Sequence, residues 1–217
     1  GDRVYNTCFC FGKDGEIIGR HRKVHLFDID VPGRIRFMES DTLTAGEDMT
    51  VIDTEFCKIG VAICYDSRRK HFYDNVRDKE LSLILFPHGA PADPNKPEKE
   101  QDENDKRCLM YVDAFGIPVV YVNSKGSLEY MPGMMGKMMK NHGFRMNGMS
   151  RIYASSADSI ETDIPEAIGA IVNLTQHERR KDIRFHGEDI LPGNWLFKKL
   201  ILKPDTKAGI LSYEANR

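Results

Sequence analysis

The sequence holds a single tryptophan and no apolar run near the roughly 20 residues that a membrane-spanning helix needs. A membrane partner is therefore not expected. Charge of one sign is not in surplus either. Thirty-one basic side chains face 33 acidic ones, for a net charge of −2. A nucleic-acid binder would show a basic excess, so none is expected as a partner. The five cysteines (Cys8, Cys10, Cys57, Cys64 and Cys108) are odd in number and form no disulfide framework. Free thiols in a reducing, cytoplasmic setting follow. There is no G-x-G-x-x-G and no Gly-Lys-Ser/Thr phosphate loop, which sets aside a nucleotide-binding α/β domain. No internal repeat is evident. A chain of 217 residues has the length of one domain with a sizeable core.

What is present centres on Lys58-Ile59-Gly60-Val61-Ala62-Ile63-Cys64-Tyr65-Asp66-Ser67-Arg68. The apolar, β-branched part reads as a buried strand. The polar part reads as the start of a helix, with a cysteine at the junction. A thiol there leaves the end of a sheet beside the free N–H groups of a helix start, whose field favours thiolate. That is the construction of a nucleophile on a strand-to-helix elbow. A lone cysteine is also at home as a buried packing residue, and these residues alone leave both readings open.

Upstream stands His21-Arg22-Lys23-Val24-His25-Leu26-Phe27-Asp28-Ile29-Asp30-Val31-Pro32-Gly33, then Phe37-Met38-Glu39-Ser40 and Leu43-Thr44-Ala45-Gly46. Followed by the cysteine elbow, this order resembles the carbon–nitrogen hydrolase (nitrilase) superfamily. Residues 20–66 are most similar to its omega-amidase branch. The resemblance implies that Lys23 and Cys64 are two members of a Glu–Lys–Cys triad and that Glu39 is a second glutamate beside the lysine. It implies a four-layer αββα sandwich and assembly into homo-oligomers. The whole chain, 1–217, reads as a single domain with 190–217 as a C-terminal arm. Gly116-Ile117-Pro118-Val119-Val120-Tyr121-Val122-Asn123 and Gly148-Met149-Ser150-Arg151-Ile152 fit the later strands more loosely. No segment resembles the family's base motif, an apolar strand ending in Pro-Glu. Leu83-Ile84-Leu85-Phe86-Pro87-His88 has that shape but offers a histidine after the cysteine. The chain is thus expected to lack the first strand–helix portion of the fold.

Along the chain, Val4 to Phe11 and Glu16 to Arg20 predict a hairpin around Lys13-Asp14-Gly15. Cys8 and Cys10 share a face of it and read as core packing. His21 and His25 have metal-like spacing, yet a strand-and-loop setting favours polar packing over a metal. Met49 to Asp53, Leu81 to Phe86 and Ile117 to Asn123 predict strands. Arg69 to Lys79 predicts a charged helix, whose Arg69, Lys70 and His71 either reshape the pocket or, by default, are solvated. Asp93 to Arg107 reads as a hydrophilic surface segment whose second half begins a helix running to about Phe115. The methionine-rich stretch 131–139 predicts a short helix with Met134/Met138 and Met135/Met139 stacked, either packing or acting as a lid. Phe144 to Ala154 and Ala167 to Leu174 predict strands of a second sheet. Ile183-Arg184-Phe185 reads as an anchor on another subunit.

Attack on an amide carbon needs a nucleophile, a positive group where charge develops, and a proton shuttle. Cys64 supplies the first and Lys23 the second; the third is the family's base glutamate, for which no residue here matches. The backbone N–H of Tyr65, next after the nucleophile, is a second donor to the oxyanion. Of Asp66 and Arg68, one is expected to be structural. Arg68 suits a substrate carboxylate through its planar fork, and His88 ends the next strand at the same sheet edge. The expected partner is a small-molecule amide, with no cofactor and no metal.

Overall fold

A computed structural model describes residues 3–31, 35–127, 133–154, 159–160, 171–174, 182–185 and 187–190. Strands β1 (Thr7–Phe11) and β2 (Ile17–Arg22) form the expected antiparallel hairpin. A second hairpin, β3 (Asp28–Val31) with β4 (Ile35–Met38), follows the lysine motif and delivers the chain to Glu39. No strand is predicted there from the sequence, because each strand is four residues long and too short to show a period. Strands β5 (Val51–Asp53) and β6 (Lys58–Val61) pair antiparallel.

Helix α1 (Lys70–Val76) carries the chain from β6 to β7 (Leu83–His88), parallel to β6. Helix α2 (Pro97–Phe115) then leads to β8 (Val119–Asn123), parallel to β7. These are two crossovers of the kind parallel strands require. Helix α2 has Pro97 at its first position and ends at Gly116, whose φ of +64° lets its N–H return to the Val112 carbonyl. Strand β9 (Lys125–Ser127), helix α3 (Gly133–Asn141) and strand β10 (Arg145–Asn147) follow, with β9 and β10 paired. Strands β11 (Arg151–Tyr153) and β12 (Ser159–Ile160) complete a six-stranded sheet of order β12-β11-β8-β7-β6-β5.

One expectation is corrected here. Strand β11 joins the main sheet, antiparallel to β8, and not a second sheet. Its Tyr153 is fully buried and donates to Asp105 of α2 at 2.6 Å, which fixes the strand on that edge. Of the strand expected over 167–174, residues 167–170 lie outside the described residues, and 171–174 are not a strand.

The core fills one face of the sheet. Phe72, Tyr73 and Val76 of α1 and Tyr111, Val112 and Phe115 of α2 pack on Ile84, Phe86, Val119 and Tyr121. The Phe86 ring meets Phe72 edge-on at 5.9 Å and Tyr111 at 5.0 Å. Full burial of such a side chain is worth about 1.5–3 kcal/mol. The opposite face carries Leu85, Val120 and Ile152, all half-buried, and Val122, half-exposed. An α/β sheet with helices on one face and an apolar row on the other fits one half of an αββα sandwich.

Candidate active site

Cys64 stands where β6 gives way to a turn, and its backbone takes φ +50°, the left-handed region. An L-residue there costs about 1–2 kcal/mol, so the surroundings must hold it. The Ala62 N–H bonds to the Leu85 carbonyl at 3.0 Å, and the Ser67 hydroxyl to the Cys64 carbonyl at 2.6 Å. The Tyr111 hydroxyl donates to the Ser67 carbonyl at 3.0 Å. The polar stretch is one 3-10 turn, Cys64–Arg68, then an extended Arg69, and only then α1. Cys64 is half-buried, unlike Cys108, which is closed in the core with its thiol pushed up by burial to about 12.

Lys23 is 1% exposed, a burial that lysine tolerates only with a partner. Its ammonium donates to Glu39 Oε2 at 2.5 Å, and the same oxygen accepts the Phe27 N–H at 2.7 Å. Its backbone is gripped on both sides. Lys23 N–H bonds the Asn6 carbonyl at 2.9 Å, and the Lys23 carbonyl accepts from Gly46 N–H at 2.8 Å. A Cβ on Gly46 would lie 2.4 Å from the Arg22 carbonyl oxygen. Gly46→Ala is therefore expected to lose about 1–3 kcal/mol in urea unfolding, since backbone and not a flexible side chain must yield. An unchanged midpoint would show that the approach is not needed.

Asp66, two residues after the cysteine, joins the two motifs. Its fully buried carboxylate accepts from His21 Nε2 at 3.1 Å, Val24 N–H at 3.3 Å, His25 N–H at 2.7 Å and His25 Nδ1 at 2.9 Å. Burial alone would raise its pKa, but the hydrogen bonds from His21 and His25 outweigh burial and bring it down to about 2. The loop carrying Lys23 is thus fastened to the elbow carrying Cys64. Of Asp66 and Arg68, Asp66 is the structural one. The metal-like spacing of His21 and His25 serves this carboxylate. Among the described residues no cluster of His, Cys, Asp and Glu suits a metal ion.

His88, at the end of β7, has Nδ1 on the Phe86 carbonyl at 3.0 Å and Nε2 facing Arg107 Nη2 at 3.4 Å. Burial first, then the Arg107 charge, lowers its pKa to about 3. It is neutral at any ordinary pH, and its Nε2 accepts from Arg107. Arg68 and Lys23 add smaller contributions to the same depression. Arg107 in turn feels both Arg68 and Cys64. Arg68 and Cys64 thus lie within electrostatic reach of Arg107, and Lys23 and Arg68 within reach of His88. Tyr65 follows Cys64 in the chain, with its ring edge-on to Phe27 at 5.6 Å.

Arg107 was missed by sequence reading. It lay in a stretch taken for hydrophilic surface, yet it is 1% exposed and donates to Asn104 Oδ1 at 2.6 Å. The available signal was its place one residue before the apolar run that opens at Cys108. Arg69 is also corrected. It is buried, not solvated, and its Nη1 pairs with Asp189 at 3.2 Å. His71 is half-buried, with Nδ1 3.3 Å from His25 Nε2. Lys70 does reach solvent, beside Asp74. Ile183 and Phe185 anchor within their own chain, Ile183 in the core and Phe185 against Tyr73 at 5.4 Å. Helix α3 lies against β4, the strand that leads into Glu39.

The sequence pattern of the carbon–nitrogen hydrolase family matches residues 1–157. A chloroplastic omega-amidase of Arabidopsis thaliana is 54% identical over 90 residues, 42% of this chain and 22% of that protein. Nitrilase homolog 2 of Dictyostelium discoideum is 62% identical over 88 residues, 41% of this chain and 24% of that protein. The matched stretch thus spans about a quarter of the length of these relatives. A carbon–nitrogen hydrolase from Helicobacter pylori G27 superposes with a TM-score of 0.59 at 22% identity, over 72% of this chain and 52% of that one. This likeness shows the fold, the α/β sandwich expected from the sequence. With its pattern covering most of the chain, and with the lysine and cysteine motifs fastened together by one carboxylate, the protein belongs to the carbon–nitrogen hydrolase family.

Proposed function

We propose that the chain cleaves the C–N bond of a small amide through a thioester on Cys64. The observation that carries this reading is the Asp66 clamp, which binds the Lys23 loop to the cysteine elbow. The Cys64 sulfur attacks the carbonyl carbon, and the displaced electron pair moves to the oxygen. Lys23 and the Tyr65 N–H stabilise that oxyanion. As the C–N bond breaks, the nitrogen leaves as ammonia or an amine with the proton that the thiol gave up. Water then attacks the thioester, the C–S bond breaks and the thiol recovers its proton. Glu39 accepts the lysine's hydrogen bond and aims it. The name of the Arabidopsis relative, omega-amidase, favours a terminal amide as substrate, and a carboxylate at its other end is part of this proposal. In this reading the planar fork of Arg68 takes a substrate carboxylate and His88 forms the wall beside it. The five unpaired thiols suit a cytoplasmic setting.

The test is ammonia release from the monoamide of a small dicarboxylic acid, with intact-mass analysis of the protein during turnover. Ammonia together with a mass gain equal to the substrate less ammonia is expected. A second reading is a homologue that keeps the fold for binding alone. One observation favours it: among the described residues no strand ends in Pro-Glu. Neither ammonia nor adduct across a panel of amides would establish that reading and end the first.

A further inference from the structure

The segment 187–190 lies beyond residue 157, where the family pattern stops, and it returns to the elbow. The Ile190 N–H bonds to the Arg68 carbonyl at 2.7 Å, and the Lys70 N–H to the Glu188 carbonyl at 2.9 Å. Asp189 and Arg69 form an antiparallel bridge between these bonds. Ile190 is 2% exposed and sits in the core, so the segment is pinned and not merely adjacent. One carboxylate oxygen of Asp189, Oδ2, receives both the Tyr65 hydroxyl at 3.0 Å and Arg69 Nη1 at 3.2 Å.

The other atoms of this ion pair show what it is arranged to do. Asp189 Oδ1 and Arg69 Nε are both buried without a hydrogen-bond partner. A pair optimised for its own stability would be bidentate and would satisfy both. Here the carboxylate turns one oxygen to two donors, one of them the side chain of the residue that follows the nucleophile. The Tyr65 ring is then fixed at three points, by Asp189, by the edge of Phe27 and by the Arg69 guanidinium 5.5 Å from its centre. Holding that ring restrains the Tyr65 backbone, which begins at the peptide joining it to Cys64.

We infer that Asp189 is a positioning residue for the elbow, acting through the Tyr65 hydroxyl to hold the Cys64–Tyr65 peptide in place for the oxyanion. This rests on the amidase reading. A displaced oxyanion donor lowers kcat and leaves substrate binding alone, because the donor acts in the transition state.

The experiment is a double-mutant cycle of Asp189→Asn and Tyr65→Phe, read by kcat, KM, thermal unfolding and the pH profile of Cys64 alkylation by iodoacetamide. Each single variant is expected to lower kcat about 10- to 100-fold, with KM within about twofold. The double variant is expected to be no slower than the worse single one, since both act through one hydrogen bond. Tyr65→Phe removes one oxygen atom and keeps the ring, so it remains informative should Asp189→Asn fail to fold. Parent-like kcat in a folded variant, or losses that multiply in the double variant, would overturn the inference. If the parent turns over no amide, the amidase reading has failed and alkylation becomes the readout. A changed profile of Cys64 alkylation in both single variants then supports the positioning role, and an unchanged profile overturns it.

Discussion

Replacing Cys64 with alanine is expected to abolish amide turnover, by at least about three orders of magnitude in kcat, and to leave the fold intact. The side chain is half-buried at the end of the elbow, so little packing is lost. Alanine at φ +50° carries much the same backbone strain as cysteine. The change therefore removes sulfur and little else. Cys64→Gly separates chemistry from strain. Glycine adopts this φ freely, so this variant is expected to be as dead as alanine yet more stable, by about 0.5–1 kcal/mol in urea unfolding. Ammonia release by either variant at the parent rate would remove Cys64 from the chemistry. A less stable glycine variant would show that the elbow is not strained.

Asp66→Asn is expected to damage stability and activity together. Four donors converge on the carboxylate, and an amide brings two donors of its own, so at least one buried N–H must lose its acceptor. Breaking a buried charged network of this kind costs about 3–5 kcal/mol. For a chain of this size that is a fall of about 10 °C in the melting temperature. The same bonds hold the Lys23 loop, so kcat is expected to drop about 100-fold through displacement of the ammonium.

The pH dependence has a fixed direction. Asp66 titrates at about 2 in the folded chain, below the usual 3.8, so its contribution is complete above pH 3.8 and is lost as pH falls towards 2. That depression corresponds to about 2 kcal/mol. The stability gap between parent and Asp66→Asn is therefore expected to be widest at neutral pH and to narrow across this acid window. Urea unfolding at pH 7 and near pH 3 measures it. A gap independent of pH would mean that the carboxylate is not held by its hydrogen bonds.

The strands β6, β7 and β8 were legible because buried parallel strands leave continuous apolar runs, and α2 because Gly116 ends it where Ile117 begins the next run. The lysine and cysteine motifs were legible as a resemblance, and the family is shown. The β3–β4 hairpin was not, because four-residue strands carry no periodic signal. Arg69 and Arg107 were misread as surface charges for a common reason. A charged residue announces burial only through its partner, and these partners are Asp189 for one and Asn104 and His88 for the other.

The sequence by itself determined the order of the chemistry-bearing residues, the apolar strands that carry them and the family they mark, because local pattern and spacing are properties of the chain alone. Tertiary structure decided which groups meet: Asp66 with both histidines, Lys23 with Glu39, Asp189 with Tyr65. Those contacts join residues 16 to 124 positions apart. No local preference encodes such separations, and only the closing of the sheet and helices brings the donors within reach of their acceptors.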